Sequence, residues 1–182
     1  AAHERRDRLT SENMSELPED VKSWIGEKKY EEWGEFDVER GYVFTTCASV
    51  QNGNPLFWEE KAAQELTGGF IAPPTMISVW FRPHYWSPGR TEEAVPLQLH
   101  FDLKKRLELP EAVMTDNTIT FYEPVRVGDR LKTYQVLRSV SDMKQTKIGA
   151  GRFWVLDVEY ENQKGEKVAT ESYTGFGYRR GK

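Results

Sequence analysis

The chain has 182 residues, and its 25 Lys and Arg against 29 Asp and Glu give a formal net charge of −4. That length suits one domain, and the charge balance is not typical of a general nucleic-acid-binding protein. The single cysteine, Cys47, excludes an internal disulfide and a multi-cysteine zinc site, and no other metal-ligand pattern is evident. No apolar run approaches the ~18 residues of a membrane span, and the N-terminus is charged rather than signal-like, so we expect a cytoplasmic protein.

The first part of the chain predicts an arm, a helix and a strand. Residues 1–16 mix charges without an apolar period, so we expect a flexible N-terminal arm before a domain over residues 17–182. Apolar residues at helical spacing in PEDVKSWIGEKKYEEWG predict a helix that begins at Pro18 and ends at Gly34. The next run, GYVFTTCASV, is rich in β-branched and aromatic side chains and predicts a strand over residues 41–50.

The middle of the chain predicts two further helices. The run LFWEEKAAQELTGG predicts one that ends at Gly68-Gly69. Pro73-Pro74 then precede TMISVWFR, and a helix accepts proline at its start because its first N–H groups have no internal partner. Since residues 76–81 have almost no polar face, we predict a short helix that is buried on all sides. The run PLQLHFDLKKRL fits either a helix or an extended connection.

The last seventy or so residues predict a sheet. Four runs have the composition of strands: DNTITFYEPV, LKTYQVLRSV, RFWVLDVEYE and KVATESYTGFGY. Their connections are VGDR, a polar loop and the turn NQKG. A strand, a buried helix and then an antiparallel meander indicate an α+β domain with helices on one side of the sheet. Because such a sheet has open edges, we expect the chain to pair with another subunit.

The stretch VQNGNPLFWEEKAA resembles the signature of the MaoC-like (R)-specific enoyl-CoA hydratases and 3-hydroxyacyl dehydratases, which carry the pattern G-D-x-N-P-[LI]-H. The resemblance extends from about residue 17 to residue 180 and includes IAPPTM, TFYEPVRVGDRL and TESYTGFGYR. It is especially close to the N-terminal, fatty-acid-synthase-type half and to the non-catalytic subunit of heteromeric dehydratases. The resemblance implies a single hot-dog fold, in which a curled antiparallel sheet surrounds a central helix, here TMISVWFR.

The positions that carry the chemistry of that family differ in this chain. In the family, an Asp and a His five positions apart transfer protons between water and the α-carbon of an acyl thioester. The matching positions hold Asn52 and Phe57, and neither side chain can act as a general acid or base. The family's His-Gly pair, whose backbone N–H holds the thioester oxygen, is matched by Pro73-Pro74, and proline has no N–H. The resemblance therefore implies that this chain carries no catalytic residue.

These losses lead to the hypothesis of an acyl-binding, non-catalytic subunit of a heteromeric enoyl-CoA hydratase. Its substrate would be a bulky or long acyl-CoA, such as a steroid side-chain thioester. A MaoC-like partner would supply Asp and His in a heterodimer or heterotetramer, and coenzyme A would enter only as part of the substrate. The expected substrate-binding residues are Asn52, Asn54, Phe57, Trp58, Pro73, Pro74, Thr75, Met76 and Trp80, with Tyr85 and Trp86 nearby. The candidates for contacts to the CoA phosphates are Lys104, Lys105, Arg179 and Arg180.

Other readings of the same residues stay open in the sequence. Asn52 and Asn54 also suit the cap of a turn, and the large apolar candidates also suit core positions. His84 and Tyr85 could form an alternative acid/base pair in a self-sufficient homodimeric hydratase or an acyl-CoA thioesterase. A non-enzymatic acyl-CoA-binding protein is the third hypothesis. The sequence alone does not decide whether the isolated chain is an enzyme.

Overall fold

A computed structural model of the protein describes residues 16–82, 86–92 and 95–181. The helices are α1 (Glu19–Trp24), α2 (Arg40–Ser49), α3 (Pro55–Trp58), α4 (Glu60–Thr67), a 3-10 helix (Pro74–Phe81) and α5 (Gln98–Arg106). The strands are β1 (Lys28–Trp33), β2 (Glu111–Phe121), β3 (Lys132–Val140), β4 (Lys144–Thr146), β5 (Gly149–Glu161) and β6 (Lys167–Arg179). In these ranges no helix is both long enough and apolar enough to cross a bilayer. The predicted arm over residues 1–16 falls outside the described residues except at its end, so it stays a prediction.

The strands form one antiparallel sheet in the order β1-β3-β5-β6-β2, and short β4 pairs with β5. The long strands β5 and β6 lie at the centre, and β1 and β2 are the two edges. The four strands that the sequence predicts are therefore confirmed. The predicted turn NQKG connects β5 and β6, with Gly165 in the left-handed region at φ 77°.

The hydrophobic core lies against one face of this sheet. Trp154 on β5 is fully buried and packs over Gly177 on β6, where an added Cβ would lie 2.1 Å from the indole ring. Close approach of that ring therefore requires glycine in the neighbouring strand. The side chains of Leu156 and Val158 follow on β5 and belong to the same core as those of the 3-10 helix. The core thus connects the middle of the sheet with the segment after Pro73.

The predicted helix from Pro18 to Gly34 is wrong beyond its first turns. α1 ends at Trp24, and Gly26 lies at φ 84° with its N–H donating to Leu137 O at 2.9 Å. The chain then runs as β1 along β3, so ladder hydrogen bonds replace those of a helix. Helical spacing of apolar residues is a weak guide here because pairing with β3 decides the conformation.

The strand predicted over residues 41–50 is also wrong, since this segment forms helix α2. Its buried side chains are Val43 and Cys47, which lie one helical turn apart. β1 already occupies the outer edge of β3, and β2 covers β6, so the segment has no place in the sheet order. Its β-branched composition therefore did not predict its structure.

The short helix predicted after Pro73-Pro74 is present, but it is a 3-10 helix and it is not buried on all sides. Residues three apart share a ridge in this helix type. Ile77 and Trp80 form a buried ridge, whereas Thr75 and Ser78 form an exposed one. For PLQLHFDLKKRL, which the sequence left open, the structure shows the helical alternative as α5.

Candidate functional site

The motif-like segment from Asn52 to Trp58 is a tight turn that leads from α2 into α3. The Asn52 N–H donates to Cys47 O at 2.8 Å, and the Asn52 side-chain oxygen accepts from the Asn54 N–H at 3.1 Å. The Asn54 side-chain oxygen accepts from the Leu56 N–H at 3.0 Å and caps α3. Both asparagines thus hold the local backbone, which is the structural role that the sequence also allowed.

The two aromatic residues that follow point to different environments. Phe57, at the family's His position, is 6% exposed and belongs to the hydrophobic core. Trp58 is 39% exposed, stacks on Phe44 at 5.0 Å between ring centroids, and donates its indole N–H to Asn52 O at 2.7 Å. The guanidinium of Arg40 lies 4.8 Å from the Phe44 ring centroid and continues the stack. This segment therefore presents aromatic surface and no side chain that could transfer a proton.

The second predicted group begins at Pro73-Pro74, where the 3-10 helix starts. Pro73 is buried and its carbonyl accepts from the Met76 N–H at 2.9 Å, whereas Pro74 and Thr75 are exposed. Neither proline can donate a backbone hydrogen bond to a thioester oxygen. Met76 is 2% exposed and lies in the core. The position at which the family holds its substrate oxygen thus has no backbone donor.

Trp80 is the member of this group that reaches a cavity. The cavity has a volume of about 210 Å³, and its walls include Trp33, Phe36 and Phe81. The indole N–H of Trp80 is buried and has no hydrogen-bond acceptor within the described part of the chain. The other predicted substrate-binding residues do not line this cavity. Of the further candidates, Trp86 is 80% exposed, and His84 and Tyr85 lie outside the described residues.

A basic cleft of about 480 Å³ brings together three of the four cations proposed for CoA phosphates. It is lined by Phe101, Lys104, Lys105, Glu108, Pro110 and Arg179, which we call the basic cleft hereafter. Arg179 donates to the Glu108 carbonyl at 2.7 Å and to its carboxylate at 2.9 Å. Arg180 does not line the cleft and lies 3.7 Å from the Glu111 carboxylate. The cleft thus combines cations from α5 and β6.

A buried polar cluster on the core-facing side of the sheet was not predicted. The Glu171 carboxylate accepts from Tyr160 OH at 3.3 Å and from the Asn117 side chain at 3.1 Å. Burial, together with this carboxylate, raises the pKa of both Tyr160 and Tyr173, so the phenols remain protonated donors. Alternation along TESYTGF would have placed Glu171 on the same face as Tyr173, but not beside Asn117.

The one described histidine is likewise engaged in packing. His100 is 7% exposed, and its Nδ1 accepts from the Trp154 indole N–H at 3.2 Å. Burial lowers the pKa of His100, with a smaller contribution from Lys104, so the neutral ring is favoured. No group of three or more potential metal ligands occurs in the part of the chain that the structure describes. The His100 ring is therefore held by the Trp154 indole within the core.

Comparison with known proteins gives a family and a relative. The family model for the FAS1-like, dehydratase domain region matches residues 23–171. The "Probable enoyl-CoA hydratase alpha subunit" of Thermomonospora curvata is 27% identical over 157 residues, which cover 84% of this chain. The match covers 49% of that protein, so the chain spans about half the length of this relative.

Solved structures share the fold at low sequence identity. The ChsH1-ChsH2 complex from Mycobacterium tuberculosis matches with a TM-score of 0.72 at 20% identity, covering 90% of this chain and 93% of that chain. The HadBC (3R-hydroxyacyl-ACP dehydratase) complex from Mycobacterium tuberculosis matches with a TM-score of 0.56 at 21% identity, covering 82% and 93%. The MaoC-like dehydratase from Rhodospirillum rubrum matches with a TM-score of 0.53 at 15% identity, covering 87% and 94%. The single hot-dog fold is thereby confirmed, and the chain belongs to the family of the FAS1-like, dehydratase domain region.

Proposed function

We propose that this chain is the acyl-binding, non-catalytic subunit of a heteromeric enoyl-CoA hydratase. The complex would add water reversibly across the 2,3-double bond of an acyl-CoA. The observation that carries the proposal is that Asn52 and Phe57, which stand at the positions of the catalytic Asp and His in the resembling family, have structural roles in this chain. The side-chain oxygen of Asn52 supports a turn, and Phe57 is buried in the core.

Hydration needs a base that removes a proton from water and an acid that protonates the α-carbon. An amide and a phenyl ring can do neither at neutral pH. The thioester oxygen also gains charge in the transition state, and a missing oxyanion donor typically costs ~3–4 kcal/mol. Pro73-Pro74 lack that donor. In this proposal, the proton-transferring groups therefore come from a MaoC-like partner.

The size of the Trp80 cavity supports an acyl group held between subunits. Its volume of about 210 Å³ is below the ~300–1,000 Å³ that is usual for ligand pockets. A bulky acyl chain, such as the steroid side-chain thioester that the resemblance suggests, does not fit wholly inside this cavity. Most of the acyl group would therefore be held outside this cavity, by the partner. The two mycobacterial structures are both of complexes, which is consistent with this assembly.

The strand β2 offers the surface on which such a partner would pair. Eight of its 11 residues are exposed and none is buried, and its large exposed side chains include Met114 and Phe121 at 43% and 44%. The strand pairs with β6 on one side, and in the described sheet it has no neighbour on the other. An open strand of this length is a template for another strand. We therefore place the proposed subunit interface at β2.

The test is to purify the chain alone, the MaoC-like partner alone, and the two after co-expression. Hydration of a long-chain and a steroid side-chain enoyl-CoA is followed for each preparation. We expect turnover only from the complex, and expect it to be lost when the partner's Asp or His is replaced. The matched change Asn52→Ala in this chain should leave kcat within about threefold, since Asn52 is assigned no chemical step.

Strong turnover by the isolated chain would instead support the self-sufficient hydratase. Acyl-CoA binding without turnover in any combination would support the non-enzymatic alternative.

A further inference from the structure

We infer that the basic cleft binds the 3′-phosphorylated adenosine diphosphate portion of coenzyme A. The subunit would thereby favour CoA thioesters over thioesters carried on a protein-bound phosphopantetheine. This inference rests on the proposed function for its biological meaning, but the binding itself is a property of this chain. Both kinds of carrier share the pantetheine arm, and only free coenzyme A brings an adenine ring and a 3′-phosphate.

The shape of the cleft suits a nucleotide. Its volume of about 480 Å³ lies within the range of small-molecule sites and is more than twice that of the Trp80 cavity. Its apolar walls are Pro110 and the ring of Phe101, which is 43% exposed. An exposed aromatic face in a cleft can stack on a base of any sequence, because every base has a π-face. We assign Phe101 to the adenine.

The charge of the cleft suits several phosphates. Lys104, Lys105 and Arg179 line it together with one carboxylate, that of Glu108, in a chain whose formal net charge is −4. Within the described residues, neither lysine has a carboxylate within 4 Å of its ammonium group. Lys104 Nζ lies 5.7 Å from the Phe101 ring centroid, so a cation stands beside the aromatic wall.

The neighbouring cations differ from those of the cleft. Arg106 is bound by both oxygens of Asp20 at 2.6 and 2.9 Å, and Arg180 lies next to Glu111. Arg179 is held by Glu108, whose side chain is 81% exposed, and this contact orients the guanidinium at the cleft wall. The ammonium groups of Lys104 and Lys105, together with the positioned Arg179 guanidinium, match a pyrophosphate and a phosphomonoester better than they match a single phosphodiester.

The place of the cleft connects it with the proposed interface. Pro110 directly precedes β2, and Glu111 at the start of β2 pairs with Tyr178, the neighbour of Arg179. A nucleotide in the cleft therefore lies at one end of the open edge strand. Its pantetheine arm could follow that edge toward the acyl site between the subunits.

The test measures binding of adenosine 3′,5′-bisphosphate to the isolated full chain by calorimetry, with 5′-ADP and phosphopantetheine as comparison ligands. We expect binding in the order bisphosphate, 5′-ADP, phosphopantetheine, and weaker binding as the salt concentration rises. The double variant Lys104→Ala/Lys105→Ala should bind the bisphosphate at least about tenfold more weakly. Phe101→Ala should weaken all adenine-containing ligands but not phosphopantetheine.

The matched control is Lys61→Ala/Lys164→Ala, which changes the net charge equally at two exposed positions that do not line the cleft. Lys61 is on α4, and Lys164 lies in the turn at the opposite end of β6 from Arg179. It should bind like the wild type, and thermal melts should show that both double variants are folded. Equal bisphosphate affinity for the two double variants, or phosphopantetheine binding as tight as that of the bisphosphate, overturns the inference. If the complex hydrates CoA thioesters and the cleft variant still binds normally, the inference fails while the proposed function stands. If the cleft binds as expected and no partner gives turnover, the proposed function fails while the inference stands.

Discussion

The two edges of the sheet differ in nearly every property that governs strand pairing. β1 has six residues, four of them charged, and its register with β3 shifts between Lys29 and Glu32. Tyr30 within it lies at φ 54°, a conformation that interrupts an extended strand. β2 has 11 residues and continuous pairing with β6 apart from one shift between Met114 and Asp116. One edge is short and irregular, and the other is long and regular.

The difference indicates that β1 is protected from pairing with another strand, whereas β2 is available to a partner. Short strands, charges and bulges are the means by which proteins protect an edge from pairing. β1 is further covered by α5, because Tyr30 donates its hydroxyl to Asp102 on that helix. Its exposed Trp33 lies beneath Lys132, whose Nζ is 5.6 Å from the ring centroid. β2 has none of these features over most of its length, so we expect subunit contacts there.

The largest effect is expected from a charge placed on each edge in turn. Phe121 on β2 and Trp33 on β1 are similarly exposed, at 44% and 51%. Phe121→Lys should weaken association with the partner at least about 100-fold, because a buried interface tolerates an unpaired charge poorly. Trp33→Lys should change it by less than about threefold. Sedimentation velocity of the mixed subunits measures both, and equal effects would remove the distinction between the edges.

The next effect tests whether β2 depends on the packing beneath its neighbour β6. Gly177→Ala puts a Cβ within 2.1 Å of the Trp154 ring, and overpacking of this kind costs about 1–3 kcal/mol of unfolding free energy. Since β6 holds β2, partner binding should also weaken. Urea unfolding and sedimentation report the two quantities. Gly181→Ala, where an added Cβ meets no atom within 4 Å, is the matched control and should change neither.

A smaller effect is expected at the protected edge. Tyr30→Phe removes the hydroxyl that binds Asp102, the contact that with burial raises the pKa of Tyr30 to about 12. The unfolding free energy should fall by about 0.5–1 kcal/mol, the lower part of the usual range because the side chain is partly exposed. Association with the partner should be unchanged. A loss of association comparable with that of Phe121→Lys would show that β1 also belongs to the interface.

The smallest expected effect is the pH dependence of the unfolding free energy that comes from His100, which packs against Trp154 beneath the sheet. Burial lowers the pKa of His100 below its usual value of 6.5, so the unfolded chain binds the proton more readily than the folded one. The corresponding stability is present above pH 6.5 and is lost as the pH falls through the lowered pKa. In His100→Leu, this contribution to the change of unfolding free energy with pH should disappear, whether or not the variant is less stable at neutral pH. Urea midpoints measured at several pH values between 7.5 and 5 test this, and an unchanged slope would exclude His100 as its source.

Sequence reasoning succeeded where one local signal agreed with the tertiary structure. The single helix predicted for LFWEEKAAQELTGG is divided into α3 and α4 by Glu59, which is extended at φ −109°. Its predicted end at Gly68-Gly69 is confirmed, with Gly68 at φ 71° and its N–H bonded to Gln64 O. It failed at β1 and α2, where local composition favoured the opposite structure. The strand order decided both conformations. Residues 28–33, whose pattern predicts a helix, occupy the outer edge of β3 as β1, and residues 41–50, whose composition predicts a strand, form α2. Only knowledge of the strand order could have shown this.

The candidate site shows the same limit. The resemblance identified Asn52 and Phe57 as departures, but it could not show that one would support a turn and the other enter the core. The charge pattern put forward Arg179 and Arg180 together, but only Arg179, the last residue of β6, lines the basic cleft. Arg180 follows the strand and lies beside Glu111. The meeting of Arg179 with Lys104 depends on how α5 lies against the end of β6. That arrangement is tertiary and has no signal in the local sequence.

The burial of Cys47 makes the chain convenient for labelling. Its sulfur is the only one in a thiol among the 182 residues, its side chain is 1% exposed, and desolvation raises its pKa. Because the thiolate is the reactive form, alkylating reagents should leave it largely untouched while the protein is folded. A cysteine introduced on either margin of the sheet would then carry a fluorophore or spin label on its own. Distances across the proposed complex could be measured without first replacing the native cysteine.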